Sequence, residues 1–157
     1  MSRKKTKIAA MLFGITLFCQ AHIALGIDKI TELFMKYNPR QAVEFTQIVR
    51  EAGEKYEVDP NVIAAIIVRE SSVRPTVISK GGDYGLMQIR YKVHKDKVKN
   101  AAELLDPRIN VFVGTQIFAQ YFAQKKTLRG ALLRYSGGNK TLASRVISTL
   151  EKLKHGK

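Results

Sequence analysis

The apolar positions of this chain recur with the spacing of an α-helix, and an Asx-proline pair marks three of the helix starts. These pairs are Asn38-Pro39, Asp59-Pro60 and Asp106-Pro107. An Asn or Asp at the N-cap accepts a hydrogen bond from a free amide of the first turn, and proline suits the first helical position because it has no amide hydrogen. The pattern predicts a helix after each pair, the first of which ends near Tyr56. Further helices are predicted over residues 28–35, 128–134 and 142–153, with Thr127 and Thr141 as the N-caps of the last two.

The helix that follows Asp59-Pro60 differs from the others because it is apolar on every face. Residues 62–68 are all Val, Ile or Ala. A helix without a polar face is expected in the centre of the core. Glu70 comes one turn after Ile66, where this helix ends, so a carboxyl group is predicted at the edge of a dry core.

Helical spacing lapses between Ser72 and Asn100, and three glycines, Gly81, Gly82 and Gly85, lie close together there. This segment is interpreted as a long structured loop with a short helix or turn over residues 86–89, and a small hairpin over residues 81–90 is one option. The predicted fold class is mainly α. At 157 residues, the chain has the length of one domain with a single core.

The first 26 residues have the layout of a secretory signal peptide. Four basic residues precede an apolar run over residues 8–19, and Ala24-Leu25-Gly26 offers a cleavage site after Gly26. An uncleaved membrane anchor is the less favoured alternative, because Gln20 and His22 keep the run below the roughly 18 residues that a membrane span needs. The prediction is a signal peptide over residues 1–26 and a domain over 27–157, exported to the periplasm or cell envelope or secreted, which meets the membrane only transiently.

Charge and cysteine content limit the classes of partner and site. Removal of the four basic signal residues lowers the formal charge from +14 to +10, so the mature surface attracts polyanions. No basic stripe with interleaved aromatics occurs, so nucleic acid is not expected as a partner. Cys19 is the only cysteine and lies in the signal, so no disulfide or thiolate metal site is expected. His94 and His155 have no ligand-spaced partner, and no metal is predicted.

Glu70 is the leading candidate for acid/base chemistry. A carboxyl group at the edge of an apolar helix is partly desolvated, which penalises its charged form and raises its pKa toward the range of a general acid. From this segment alone, an ordinary surface glutamate at a helix end is an equally good interpretation.

The motifs around Glu70 favour the catalytic interpretation. Glu70-Ser71, then Ser79, then Gly85-Leu86-Met87-Gln88 resemble the catalytic domain of soluble lytic transglycosylases, glycoside hydrolase family 23 in the lysozyme-like superfamily. The resemblance continues through Asp106-Pro107, Asn110-Val111 and Gly114-Thr115, and covers about residues 45–150. The family's Ala-Tyr-Asn-Ala-Gly motif corresponds to Arg134-Tyr135-Ser136-Gly137-Gly138. Other departures are Ser72 and Val73 after the Glu-Ser pair, expected to alter a sugar-facing wall, and Arg90 where methionine is frequent.

The resemblance implies a lysozyme-like helical domain that acts on peptidoglycan glycan strands without a cofactor. Glu70 would protonate the oxygen between N-acetylmuramic acid and N-acetylglucosamine, then remove a proton from the muramyl 6-hydroxyl and so close a 1,6-anhydro ring. The implied substrate-binding residues are Ser79, Gln88, Tyr135, Tyr84 and Met87, although a core position for Met87 and a packing role for Tyr84 remain open. Ser71, Gly85 and Asn110 are assigned structural roles at the site: Gly85 would let the chain pass close to the glycan, and Asn110 would support the loop from below.

Two other functions stay open at this point. Asp83 could orient water and make the protein a lysozyme-type hydrolase, as in goose-type lysozymes. A domain that binds peptidoglycan without cutting it is the third option. Small members of the implied family often serve a larger apparatus, so a secretion or conjugation machine is a candidate partner.

Overall fold

The computed structural model describes residues 28–155, and the predicted signal peptide lies outside them. The helices are α1 (Lys29–Met35), α2 (Ala42–Tyr56), α3 (Pro60–Ser71), α4 (Tyr91–His94), α5 (Pro107–Lys125), α6 (Leu128–Tyr135) and α7 (Lys140–His155). Two short strands, β1 (Asp83–Tyr84) and β2 (Ile89–Arg90), and two 3-10 segments, Lys95–Lys97 and Ala101–Leu105, complete this part of the chain. The mainly α fold class is confirmed. No helix among residues 28–155 has both the length and the apolar character needed to cross a membrane.

Helix α3 lies at the centre of the core, as its apolar character predicts. All seven residues from Val62 to Val68 are buried. Helices α1, α2 and α7 pack against α3, while α5 packs against α2 and α6. Because the buried run of α3 ends at Val68, the exposed Arg69 and the partly buried Glu70 are the first residues of its last turn to leave the dry interior.

A side-chain N-cap starts each of the helices α1, α3, α5 and α6. Asp59 accepts from the amide of Asn61, Asp106 from that of Ile109, and Thr127 from that of Gly130. Asp28 caps α1 in the same way. Each such cap contributes about 1 kcal/mol. The caps predicted at Asp59, Asp106 and Thr127 are confirmed.

Two predicted caps are wrong. Helix α2 begins only at Ala42, and the Asn38 side chain instead donates to the carbonyl of Val73 at 3.2 Å. This amide is committed to a distant loop, so it does not cap the helix. Helix α7 begins at Lys140, with Thr141 inside it, because Asn139 accepts from the amide of Leu142 at 3.0 Å.

The long loop contains a small hairpin, which was one of the options that its sequence allowed. Strands β1 and β2 are antiparallel, with Asp83 opposite Arg90 and Tyr84 opposite Ile89. The residues between the strands form a turn, in which the amide of Gln88 donates to the carbonyl of Gly85. Helix α4 and the two 3-10 segments were not predicted from the sequence. Lysines interrupt any apolar period in α4 and in Lys95–Lys97, and Ala101–Leu105 is too short to show one.

Candidate active site

A cleft of about 640 Å³ opens where the end of α3 meets the hairpin. Helices α4, α5 and α6 and the start of α7 supply its other walls. The polar and charged side chains that line it belong to Glu70, Ser79, Asp83, Gln88, Arg90, His94, Tyr121, Arg134, Tyr135, Ser136 and Asn139. The structure therefore brings together Glu70, Ser79, Gln88 and Tyr135 from the sequence-based candidates.

Glu70 is partly buried in the last turn of α3. Burial, and then the negative charge of Asp83, raise its pKa to about 7. No group within residues 28–155 hydrogen-bonds its carboxyl oxygens, so nothing in this part of the chain holds the group in its charged form. At neutral pH such a carboxyl is divided between its acid and base forms, which suits a group that must donate a proton and then accept one.

Asp83 lines the same cleft, but its pKa is shifted in the opposite direction from that of Glu70. Its Oδ1 accepts from Arg90 Nε at 2.7 Å and its Oδ2 from Arg90 Nη2 at 3.0 Å. The Ser79 hydroxyl also donates to Oδ2, at 2.8 Å. These bonds, led by those from Arg90, hold the pKa of Asp83 below its usual value. Asp83 is thus a fixed anion.

Ser79 organises the hairpin through its hydroxyl. Besides donating to Asp83, the Ser79 Oγ accepts from the amides of Gly81 and Asp83, at 3.2 and 3.1 Å. All three hydrogen bonds of this hydroxyl are therefore made to residues of the same loop. Ser79 acts on the cleft mainly by positioning Asp83.

Gln88 ends the turn with a left-handed backbone (φ 49°). Its Nε2 donates to the carbonyls of Gly85 and Val77, at 2.9 and 3.2 Å. Its Oε1 has no partner within the described part of the chain and stays available as an acceptor at the cleft. The side chain is therefore fixed from behind and offers one polar atom to a ligand.

Asn110, which is fully buried in α5, holds the hairpin from below. Its Oδ1 accepts from the amide of Met87 at 2.8 Å, and its Nδ2 donates to the carbonyls of Tyr84 and Leu104, at 2.8 and 2.7 Å. Gly85 is required by this contact, because a Cβ there would collide with Asn110 Nδ2 and Leu104 O. Gly85, which the sequence predicts to lie close to the glycan, turns its bare Cα to the asparagine and is not among the cleft-lining residues.

Tyr135 closes the cleft from α6. Its hydroxyl donates to the carbonyl of Met87 at 2.9 Å, and its ring packs edge-on against Phe118. Burial, and then the charge of Glu70, raise the pKa of Tyr135 well above its ordinary value. The phenol therefore stays neutral and keeps donating to the hairpin.

Several residues proposed from the sequence lie away from the cleft surface. Met87 is fully buried against Gly114 and Thr115, which contradicts a direct substrate contact. Val73 is also fully buried, so it forms no sugar-facing wall. Tyr84 packs edge-on against Tyr91 and is not among the cleft-lining residues. The buried hydroxyl of Ser71 donates to the carbonyl of Ile67, in keeping with a structural role.

Four polar or charged residues of the cleft were not predicted from the sequence: His94, Tyr121, Arg134 and Asn139. Only Arg134 carried a signal, since it replaces the alanine of the Ala-Tyr-Asn-Ala-Gly motif. The other three lie in segments without a motif. Among residues 28–155, no three His, Cys, Asp or Glu side chains form a cluster able to hold a metal ion.

Comparison with known proteins is consistent with this geometry. The profile of the transglycosylase SLT domain matches residues 47–155. The endo-type membrane-bound lytic murein transglycosylase A of Citrobacter koseri is 35% identical over 85 residues, covering 48% of this chain and 42% of that protein. The transglycosylase of enterobacteria phage PRD1 is 31% identical over 98 residues, covering 62% of this chain and 36% of the phage protein. The chain thus spans less than half of the length of either relative.

The fold is similar to part of the 70 kDa soluble lytic transglycosylase of Escherichia coli. The TM-score is 0.51 at 22% sequence identity, over 78% of this chain and 19% of the larger one. At this identity the likeness shows a shared fold.

Proposed function

The chain belongs to the transglycosylase SLT domain family, and we propose that it is a lytic transglycosylase of peptidoglycan. The bond cut is the β-1,4 bond between N-acetylmuramic acid and N-acetylglucosamine, and the product carries a 1,6-anhydro muramyl end. The relative from Citrobacter koseri, which is named a lytic murein transglycosylase, supports this substrate class.

The observation that carries the proposal is the environment of Glu70. The reaction asks one carboxyl to act as an acid and then as a base, and a pKa of about 7 makes both forms accessible at neutral pH. Protonated Glu70 gives its proton to the glycosidic oxygen while the bond from this oxygen to the muramyl anomeric carbon breaks. The carboxylate then removes the proton of the muramyl 6-hydroxyl, whose oxygen bonds to the anomeric carbon. Glu70 is protonated again, and no water is consumed.

The substrate's own N-acetyl group stabilises the positive charge that develops at the anomeric carbon. Gln88 Oε1 is a candidate acceptor for a sugar hydroxyl or amide. Ser79 and Tyr135 act from behind: the first fixes Asp83 and the second fixes the turn through the Met87 carbonyl.

A hydrolase that uses Asp83 to activate water is the second candidate, because Asp83 lies in the same cleft as Glu70. Its state favours the first candidate. A base that works at neutral pH is most effective with a pKa near 7, whereas the hydrogen bonds from Arg90 and Ser79 make Asp83 a weak base. A domain that only binds peptidoglycan would have no use for a carboxyl with a raised pKa.

The test is incubation of residues 27–157 with purified sacculi, followed by mass analysis of the released fragments. We expect muropeptides with 1,6-anhydro ends, each lighter by one water than the hydrolysed product. Glu70→Gln should release about 1000-fold less in the same time. Glu54→Gln, at an exposed position of α2, should release as much as the wild type. Fragments heavier by one water would establish the hydrolase, and no release from the wild type would contradict both enzymatic functions.

We also propose that residues 1–26 direct export and are removed, which leaves a domain over residues 27–157 in the periplasm or cell envelope. The amino-terminal sequence of protein recovered from that compartment tests this, and we expect it to begin at Ile27. Service to a secretion or conjugation apparatus stays a prediction from the family resemblance. It would be tested by whether deletion of the gene lowers the output of that apparatus and whether the Glu70→Gln gene fails to restore it.

A further inference from the structure

The charges that line the cleft do not cancel. The excess is positive, and it lies on Arg134. Arg90 is paired with Asp83 through two hydrogen bonds. Glu70, with a pKa of about 7, is only partly charged at neutral pH. Burial, and then the positive charge of Lys97, lower the pKa of His94, so this ring carries no charge at neutral pH.

Arg134 is an exposed residue in the last turn of α6. Its guanidinium carbon lies 5.4 Å from the centroid of the Tyr121 ring, which also lines the cleft. No carboxylate among residues 28–155 forms an ion pair with it. A guanidinium that an aromatic face restrains loses less side-chain freedom when it binds, and its N–H groups match the two oxygens of a carboxylate.

We propose that Arg134, held by Tyr121, forms a carboxylate-binding subsite of the cleft. The inference rests on the proposed function, and it adds that the enzyme recognises a negative charge on the glycan strand as well as its sugars. Arg134 is a departure of this chain from the Ala-Tyr-Asn-Ala-Gly motif that residues 134–138 resemble, since it takes the place of the first alanine.

A peptidoglycan strand carries carboxylates of two kinds. Strands that bear stem peptides carry them on the peptide, whereas strands from which the peptides have been removed carry one on the lactyl group of each muramyl residue. Both would bind a guanidinium by the same two hydrogen bonds. The subsite therefore takes either source by its chemistry, and the experiment must separate them.

The experiment measures KM and kcat on three substrates: peptide-bearing strands, peptide-free strands, and peptide-free strands whose lactyl carboxylates have been converted to methylamides. The variants are Arg134→Ala, Arg134→Lys and, as a matched control, Arg129→Ala. Arg129 is exposed on the same helix and does not line the cleft.

For Arg134→Ala we expect KM to rise about 10-fold on a strand whose carboxylate uses the subsite, with kcat little changed, since an exposed charged hydrogen bond lies at the low end of its range. Lysine should restore part of the loss, because it keeps the charge without the two-pronged geometry. On the methylamide strands, wild type and Arg134→Ala should have the same KM. A rise confined to peptide-bearing strands assigns the stem peptide, and one confined to peptide-free acidic strands assigns the lactyl group.

Two outcomes would overturn the subsite: an equal rise in KM on the neutral strands, or the same rise for Arg129→Ala. Binding of the three strands by calorimetry in a Glu70→Gln background separates this inference from the enzymatic proposal. Affinity that depends on the carboxylate and on Arg134 would support the subsite even if the wild type released no fragments. Affinity that Arg134→Ala leaves unchanged would overturn the subsite even if the wild type were fully active.

Discussion

Glu70 ends the apolar helix α3 and Asp83 starts strand β1, and these two carboxyl groups of one cleft have opposite electrostatics. The first is partly desolvated and has no hydrogen-bond partner among the described residues, so its pKa is raised to about 7. The second accepts from Arg90 and Ser79, so its pKa is lowered. The difference arises from backbone position. A helix that leaves a dry core brings few polar groups with it, whereas the loop and hairpin around Asp83 supply a hydroxyl and a cross-strand arginine.

The two groups also depend on each other. The fixed charge of Asp83 is the second cause of the raised pKa of Glu70, after burial. Arg90 and Ser79 therefore act on Glu70 indirectly, because they keep Asp83 ionised. In the proposed mechanism Glu70 transfers the proton, and Asp83 acts on it through its charge, which raises the pKa of Glu70.

The largest effect is expected when Glu70 itself is changed. Glu70→Gln should lower kcat on sacculi about 1000-fold, because an amide can neither give nor take the proton. Release of anhydro muropeptides measures it, with Glu54→Gln as the control of equal chemistry. Retention of a tenth of the activity would show that another group transfers the proton.

The support of the hairpin should come next. Asn110→Ala leaves the Met87 amide and the carbonyls of Tyr84 and Leu104 without their partner, at a cost of about 3 kcal/mol in the free energy of unfolding. Urea denaturation of the variant measures this. A loss below about 1 kcal/mol would mean that water replaces the side chain and that the hairpin is held elsewhere.

A smaller effect concerns stability against pH. The folded state binds the Glu70 proton more tightly than the unfolded chain, so this group costs stability as pH rises from about 4.5 to about 7, and the full cost remains above that range. Glu70→Gln should therefore be more stable than wild type at pH 8, by about 1 kcal/mol after allowance for partial exposure. At pH 4 the two should be equal. Thermal unfolding at both pH values measures the difference, and a gain of the same size at pH 4 would assign it to packing.

The smallest effect sharpens the link between the two carboxyls. Asp83→Asn removes the charge that raises the pKa of Glu70, so the fall of kcat/KM with rising pH should begin at lower pH, with a loss of about 3-fold at pH 8. The pH profile of the variant measures it. The products should still be anhydro muropeptides; an unshifted profile, or a loss of all activity, would give Asp83 a different role.

The sequence predicts the buried helix that positions Glu70 better than it predicts the residues at the cleft surface. The run of Val, Ile and Ala over residues 62–68 places α3 in the core, and hence Glu70 at its edge, because no other location satisfies a helix without a polar face. The caps at Asp59 and Asp106 set the starts of α3 and α5 for a similarly local reason.

Contacts between distant segments could not be predicted in this way. The positions of Met87 and Gly85 depend on α5, which brings Asn110 beneath the turn from 23 residues further along the chain. Asn38 illustrates the same limit, since the proline after it indicates a cap and a loop carbonyl takes its amide instead. The place of Arg134 in the cleft likewise depends on how α6 packs against α5.

The bonds of Asn110 have a consequence for protein engineering. The two strands of the hairpin pair over only two residues each, and one side chain inside a separate helix supplies its main buried polar support. The hairpin is therefore not a module that can be moved alone into a related scaffold. A chimaera that exchanges it should also carry the 3-10 segment that contains Leu104 and the first turn of α5, because donor and recipient must agree on the asparagine, the glycine above it and the carbonyl beside it.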